Sequence, residues 1–499
     1  MTKFISLKRN PLWVALSSAL LVQACAIPTI DVREPQVNIP ESYNVQSSTQ
    51  LNGQSKAQAN TAEKAVTSDA VNINWKDWFN DPQLAALVET AVNNNQEVAI
   101  LLQRINMAAN EVYAREGEYL PAVSAGVAVE TEKVGEFTRE GAVEEHLDIK
   151  EGKAFPDPLA NLRLGLNASW ELDVWHKLRD ASKVASLEYM ASIEGRKFFV
   201  TQLVSEVSRC YYELLALDNK LANLDSTIKV QQNVIKTINT LKQYGRSTSL
   251  PVARFTAEVK KNESERFLIQ QDIVEKENTL NLLLGRAPQP IERNSDVLMT
   301  AEIIKPNVGV PSALLANRAD IRQAELTLQA ANLNIDVAKA NFYPSFELKA
   351  GVGLSAFDSR YLFNVPESLA YSLSGDIFAP LINRRAIEAV YQNASAEQVQ
   401  AAYEYELALL RAVAEVSNSL SKLNNLEKSV EAKGLQIASL EQSVDVANRL
   451  FASAHGEYLE VLLAQRETLE ARSELIETRQ QQLSALVDLY QALGGGWQS

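Results

Sequence analysis

Few residues in this chain of 499 could do covalent chemistry. The three histidines, His146, His176 and His455, lack the spacing of metal ligands. The only glycine run, Gly494-Gly495-Gly496, lies at the chain end, where it stops a helix and cradles no phosphate. No catalytic constellation is visible, so nothing supports an enzyme. Charged residues at chain turns are better placed to do work without bond-making. Arg246 stands in the turn Gly245-Arg246-Ser247-Thr248-Ser249, and Glu457 and Glu460 follow Gly456. The two acids are three apart at a helix start and so share a face. A plain alternative is that the helix dipole favours acids there.

Cys25 has chemistry of a different kind. Lys3, Lys8 and Arg9 form a basic start, residues 11–22 are mostly apolar, and Leu21-Val22-Gln23-Ala24-Cys25 follows. The pattern is that of a secretory signal over residues 1–24, too short to span a membrane. Its end resembles a bacterial lipobox, in which cleavage leaves the cysteine as an acylated first residue. Gln23 stands where a small residue is more usual. Ala26, in place of Asp, points to delivery to the outer membrane. A covalent lipid such as palmitate is therefore expected on Cys25, and no other cofactor. Cys210 then has no disulfide partner and is expected to act as a small buried apolar residue. The net charge of -14 makes the chain a poor partner for nucleic acid.

The elements that position these residues repeat once along the chain. Residues 25–70 read as a lipid anchor and an extended polar arm. The first repeat covers 71–292. It opens on Trp75 and Asp81-Pro82, a helix start, and one helix is expected to about Tyr119, where Pro121 stops it. A β-hairpin over 121–172 follows. Val123, Ala125, Val127 and Val129 alternate with Ser124, Gly126, Ala128 and Glu130; Leu162, Leu164, Leu166 and Trp170 alternate with polar or small residues. Residues 131–160 between these strands are mostly acidic and read as an exposed loop. Residues 176–242 then keep a seven-residue apolar beat: Val207, Leu214, Leu221, Ile228, Ile235, with Leu203, Cys210, Leu217 and Leu224. A tip at 244–250 turns the chain into a second helix.

After a linker at 293–312, the pattern recurs over 313–499: a helix, a β-hairpin at 345–378, and a helical hairpin with its tip at 454–461. Tyr343-Pro344 repeats the stop at Leu120-Pro121. The second heptad runs Val416, Leu423, Val430, Ile437, Val444, Phe451, and the last helix carries Leu462, Leu469, Ile476, Leu483, Tyr490. Such a long-period repeat marks duplication of one structural unit.

Four membrane-length strands cannot close a barrel, and an open sheet edge in lipid leaves backbone groups without partners. The chain should be complete only as an oligomer; strand count alone allows two, three or four copies. Trp170, Phe346, Tyr371, Tyr119 and Tyr343 are candidates for interface girdles, with plain packing as the alternative.

Over 75–497 the sequence resembles the TolC-like outer membrane efflux factors, in their lipoprotein (OprM/NodT-like) branch. The resemblance is carried by the opening at Trp75 to Pro82, by Arg318-Ala319-Asp320-Ile321-Arg322 with Ala in place of Pro, and by Trp170-Glu171-Leu172-Asp173-Val174-Trp175-His176. The last two residues stand where the family has Phe-Gly. The resemblance implies a mostly helical fold with membrane β structure. It implies a homotrimer in which four strands per copy form a twelve-stranded barrel above a periplasmic helical barrel. It also implies a passive duct for small molecules in the outer membrane, served by a periplasmic adaptor protein and an inner-membrane transporter, usually of the resistance-nodulation-division type. Carried over, Tyr244, Gly245, Arg246, Ser247, Leu250, Ala454, His455, Gly456, Tyr458 and Leu459 would contact the adaptor. Glu457 and Glu460 would line the aperture, where acids around a three-fold axis hold cations. Arg246 could pair with them across copies. A duct for secreted polypeptides is the nearest alternative; a coiled-coil surface lipoprotein without a pore is a more distant one, which the four amphipathic strands argue against.

Overall fold

The computed structural model describes residues 27–37, 40, 75–150, 152–301, 303, 317–453 and 456–495. The first elements are α1 (Trp75–Phe79), α2 (Pro82–Asn94) and α3 (Gln96–Glu118). Asp81 caps α2: its carboxylate accepts from the N–H groups of Gln83 and Leu84 at 2.9 and 3.2 Å. The single helix expected to Tyr119 is instead broken at Asn95. The Asn95 carbonyl oxygen of the side chain accepts from Glu97 and Val98 N–H, and its amide donates to the Leu283 carbonyl at 2.9 Å. An asparagine side chain can replace the helix's own backbone partners. Here a second helix supplies the acceptor that makes the break hold.

Among the described residues there are six strands, four of which follow the pattern of alternation. The six are β1 (Ala122–Glu132), β2 (Asp148–Lys150), β3 (Lys153–Ala154), β4 (Leu159–Leu172), β5 (Ser345–Ala356) and β6 (Leu369–Phe378). β2 and β3 pair with each other, and the short helix α4 (Arg139–Glu144) precedes them, so the expected loop carries structure of its own. The other four form one antiparallel sheet in the order β1-β4-β5-β6. Residues directly opposite one another share a face, so the register sorts the sheet into rows. One face carries Val123-Ala168-Ala350-Leu373, then Ala125-Leu166-Val352-Tyr371, then Val127-Leu164-Leu354-Leu369. The other carries Ser124-Asn167-Gly351-Ser372 and Gly126-Gly165-Gly353-Ala370. The apolar face is bare within the chain: Val127 is 73% exposed and Leu373 79%.

The long helices are α5 (Lys177–Gln243) and α6 (Ser249–Leu283), then, after α7 (Val297–Thr300), α8 (Ala319–Ala340) and α9 (Ser359–Leu362), α10 (Arg385–Ala452) and α11 (Tyr458–Ala492). At 67 residues, α5 is about 100 Å long. Its heptad positions Leu203, Val207, Cys210, Leu214, Leu224 and Ile228 are buried. Burial pushes the Cys210 thiol up to about 11, so it stays neutral and unreactive. Val416, Leu423 and Ile437 of α10 and Ile476, Leu483 and Tyr490 of α11 are buried likewise.

Two arginines pin this packing. Arg293, only 11% exposed, reaches Asp218 and Glu277, each at 2.5 Å. Arg318 reaches Asp320, Glu415 and the Ala492 carbonyl. Removing one partner of a fully buried pair costs about 3–5 kcal/mol; the cost is smaller here because the acids keep contact with water, Glu415 at 51% exposure. The described part of the stretch between the repeats is docked: Leu298 is fully buried and its carbonyl accepts from Arg479 at 3.0 Å.

The chain divides into two compact units. One holds residues 106–190 and 326–403 with the described residues up to Glu34, and contains the sheet. The other holds the described residues of 35–105, 191–325 and 404–499, with most of the hairpins. Each takes pieces of both sequence repeats.

The polar face of the sheet is tight at one row. A Cβ on Gly165 would lie 2.6 Å from the Val352 carbonyl oxygen, whereas one on Gly126 would meet nothing within 4 Å. Gly165→Val should therefore lower the thermal midpoint for loss of β structure in the purified protein, followed by circular dichroism, and Gly126→Ala should leave it unchanged.

Candidate functional site

The two hairpin tips come together in the second unit. Ile238 of α5 and Phe255 of α6 are fully buried with Ala447 of α10 and Val461 of α11. Val252, Phe451, Tyr458 and Leu462 pack around them. Both turns are closed by backbone bonds. At the first, Gly245 has φ of +70°, its N–H donates to the Lys242 carbonyl at 3.0 Å, and Arg246 N–H donates to Leu241 at 2.9 Å. At the second, Gly456 N–H donates to the Leu450 carbonyl at 3.1 Å.

Among the predicted tip residues, Tyr244 is 77% exposed and Leu250 54%. Arg246 is exposed and Ser247 half-buried. Tyr458 and Leu459 are half-buried, Tyr458 against the cluster just described. Glu457 and Glu460 are exposed. Glu457 occupies the N-cap of α11 without a side-chain capping bond. Among the described residues, Arg246, Glu457 and Glu460 have no ion-pair partner within the chain. Ala454 and His455 lie outside the described residues, as does Cys25.

The polar face of the sheet carries a charged row that sequence reasoning missed. Glu171, Glu347 and Asp376 lie side by side on β4, β5 and β6. Lys349, two residues along the same face, reaches Glu347 at 2.9 Å and Asp376 at 3.3 Å, and Lys177 reaches Glu171 at 3.2 Å. The alternation was visible in sequence; which residues face one another depended on register.

The strand-to-helix corner after β4 does more than its sequence suggests. The Trp170 indole donates to the Tyr119 carbonyl at 3.0 Å, and the Trp175 indole to the Pro344 carbonyl at 2.7 Å. Tyr119 and Pro344 belong to the two equivalent helix-to-strand corners, so one short segment ties both repeats. Trp175 also stacks on Tyr343, with ring centroids 4.7 Å apart. Asp173 accepts from Leu178 and Arg179 N–H, both at 3.0 Å, and so caps α5. His176 has φ of 62°, a left-handed conformation at the position where the resembled pattern has Gly. The turn keeps that geometry despite the side chain.

The chain as a whole is similar to known proteins. The family model described as outer membrane efflux protein matches residues 87–286 and 310–495. The chain is 29% identical to the pyoverdine export outer membrane protein OpmQ of Pseudomonas putida, over 99% of each chain. It is 26% identical to the cation efflux system protein CusC of Escherichia coli, over 96% of this chain and 97% of that one. Its fold resembles the crystal structure of the open state of the Neisseria gonorrhoeae MtrE outer membrane channel. That match has a TM-score of 0.77 at 22% identity, covering 94% of this chain and 99% of the other.

The left-handed His176 gives a direct test of the corner. A left-handed residue other than Gly carries a penalty of about 1–2 kcal/mol, so His176→Gly should leave stability unchanged or raise it by up to about 1 kcal/mol, after glycine's own entropy cost. His176→Val should lower it. The thermal midpoint of unfolding of the purified protein, followed by circular dichroism, measures both.

The chain belongs to the outer membrane efflux protein family. It is an outer membrane efflux channel and not an enzyme.

Proposed function

We propose that three copies of this chain complete one pore, the passive exit duct of an efflux pump. The observation that carries this reading is the four-stranded sheet with β1 and β6 at open edges and an apolar face left bare. In lipid, unpaired edges must close on other strands. Three sheets of four make a barrel of ordinary size. The small and polar residues of the other face would line its water-filled interior.

The anchor follows from the arm. Ile27 and Ile30 pack against the buried cluster that contains Ile335, Phe342 and Tyr391. Arg33 and Gln398 exchange two hydrogen bonds at 2.9 and 2.7 Å, and Gln36 N–H donates to Glu406 at 2.8 Å. The arm thus advances along α10 in step with it. Two residues of chain reach at most about 7 Å, so a lipid on Cys25 would enter the membrane close to the base of the sheet. Most of the remaining chain would then lie in the periplasm.

At the tips, Arg246, Glu457 and Glu460 have no ion-pair partner among the described residues, which suits a role between chains. Around a three-fold axis, Glu457 and Glu460 form acidic rings at the aperture, and Arg246 latches them across copies at rest. Tyr244 and Leu250 offer exposed apolar contacts to a periplasmic adaptor, which couples the duct to an inner-membrane transporter of the resistance-nodulation-division type. The relatives are named for export of pyoverdine, cations and solvents. A duct of this kind is therefore open to several small molecules, and selection would lie with the transporter.

Single-channel conductance of the purified oligomer in planar bilayers, with its mass determined in parallel, tests this reading. A trimer with a discrete cation-preferring pore is expected. Glu457→Gln with Glu460→Gln should lower the cation preference several-fold, and Arg246→Gln should raise the conductance. Unchanged ion selectivity in the double variant removes the aperture role; a water-soluble monomer without a pore removes the duct.

A further inference from the structure

The turns after β4 and β6 are built alike. After β4 come Val174 and Trp175, then left-handed His176, then Lys177 and Arg179 in the first turn of α5. After β6 come Leu381 and Ile382, then left-handed Asn383 with φ of 58°, then Arg384 and Arg385 at the start of α10. The four apolar side chains are exposed, Ile382 to 91%. Both turns lie at one end of the sheet, since Leu172, Phe346 and Ile377 form its last apolar row there.

The basic residues stand on aromatic shelves. The Arg179 guanidinium lies 5.8 Å from the centre of the Tyr119 ring, and that of Arg384 lies 4.7 Å from Phe342. Tyr119 and Phe342 occupy equivalent positions in the two repeats. At the first turn the acids are already engaged: Glu171 with Lys177, Asp180 with Lys183, and Asp173 with the backbone of α5; at the second, Glu388 in the first turn of α10 forms no ion pair with Arg385. Arg179 and Arg385 are exposed, and neither has a carboxylate at ion-pair distance among the described residues.

We propose that the two turns are paired footholds for anionic phospholipid in the inner leaflet of the outer membrane. The apolar pairs enter the acyl region, and Arg179 and Arg385 bind headgroup phosphates. This rests on the reading that the sheet spans the outer membrane. The leaflet is assigned because these turns lie where the long helices leave the sheet. A lipid occupant fits better than a second copy of the chain. β6 is an edge strand, whereas β4 is flanked by β1 and β5. A neighbouring copy reaches an edge and has no reason to meet the same chemistry at an interior strand. A lipid layer surrounds both positions equally. The apolar face of the sheet continues into the turns, and arginine forks match phosphate oxygens.

The test uses the full acylated protein in nanodiscs of phosphatidylcholine, with or without phosphatidylglycerol. Wild type should gain several degrees in the oligomer's thermal midpoint with phosphatidylglycerol and retain that lipid in native mass spectrometry. The double variant Arg179→Gln/Arg385→Gln should insert equally well and lose most of both effects. Arg179→Lys/Arg385→Lys should keep part of them, which separates lost charge from damage to the fold. An equal gain in the Gln variant overturns the proposal. So does its dissociation in phosphatidylcholine alone, which would mark a contact between copies, and so does an equal gain from inorganic phosphate. Failure of wild type to enter either nanodisc overturns the membrane-spanning reading itself.

Discussion

Backbone hydrogen bonding at the sheet edges is the constraint on which the rest of this chain depends. β1 and β6 each present one side with no strand against it within the chain, and the apolar face beside them is exposed. In water, a bare apolar face of this size marks an interaction surface. In lipid, the face is satisfied but the edges are not, because no water is there to bond them. A membrane and neighbouring strands together resolve both demands. The close approach at Gly165 and Gly353 adds a third, since neither position admits a side chain on the polar face.

The corners carry this arrangement into the helices. Trp170 and Trp175 donate to carbonyls of both helix-to-strand corners, so the two repeats are joined where strand becomes helix. Asp173 caps α5 there. Farther along, the heptads do the work of length. A seven-residue beat keeps a seam in register over many turns, and Arg293 and Arg318 add buried ion pairs that set particular side chains opposite one another. The apolar seam supplies most of the stabilisation, while the buried charges tolerate little change of position.

Period and punctuation made much of this legible beforehand. Alternation over Val123, Ala125, Val127 and Val129 marks a strand because side chains on a pleat alternate. The heptad through Val207 and Leu214 marks a long packed helix, and both of these residues are fully buried. What sequence did not disclose depends on partners distant along the chain. Asn95 breaks a helix because its amide finds the Leu283 carbonyl, and no local signal names that acceptor. The row Glu171-Glu347-Asp376 requires the register of three strands. His176 hides a glycine-like backbone under an ordinary side chain. At the tips, Arg246, Glu457 and Glu460 are visible as charges in turns, but that none of them has an ion-pair partner among the described residues depends on how the four helix ends pack.

The absence of internal partners at those charges is informative when set against the rest of the fold. Elsewhere charges that enter packed surfaces are paired, as Arg293 and Arg318 are. An exposed ion pair is worth little, so leaving a surface charge alone costs little too. Three unpaired charges gathered over one fully buried apolar cluster, around Ile238 and Phe255, therefore place a cheap electrostatic surface on a costly rigid support. Contacts between chains can then form and break at the tip without disturbing the packing beneath it.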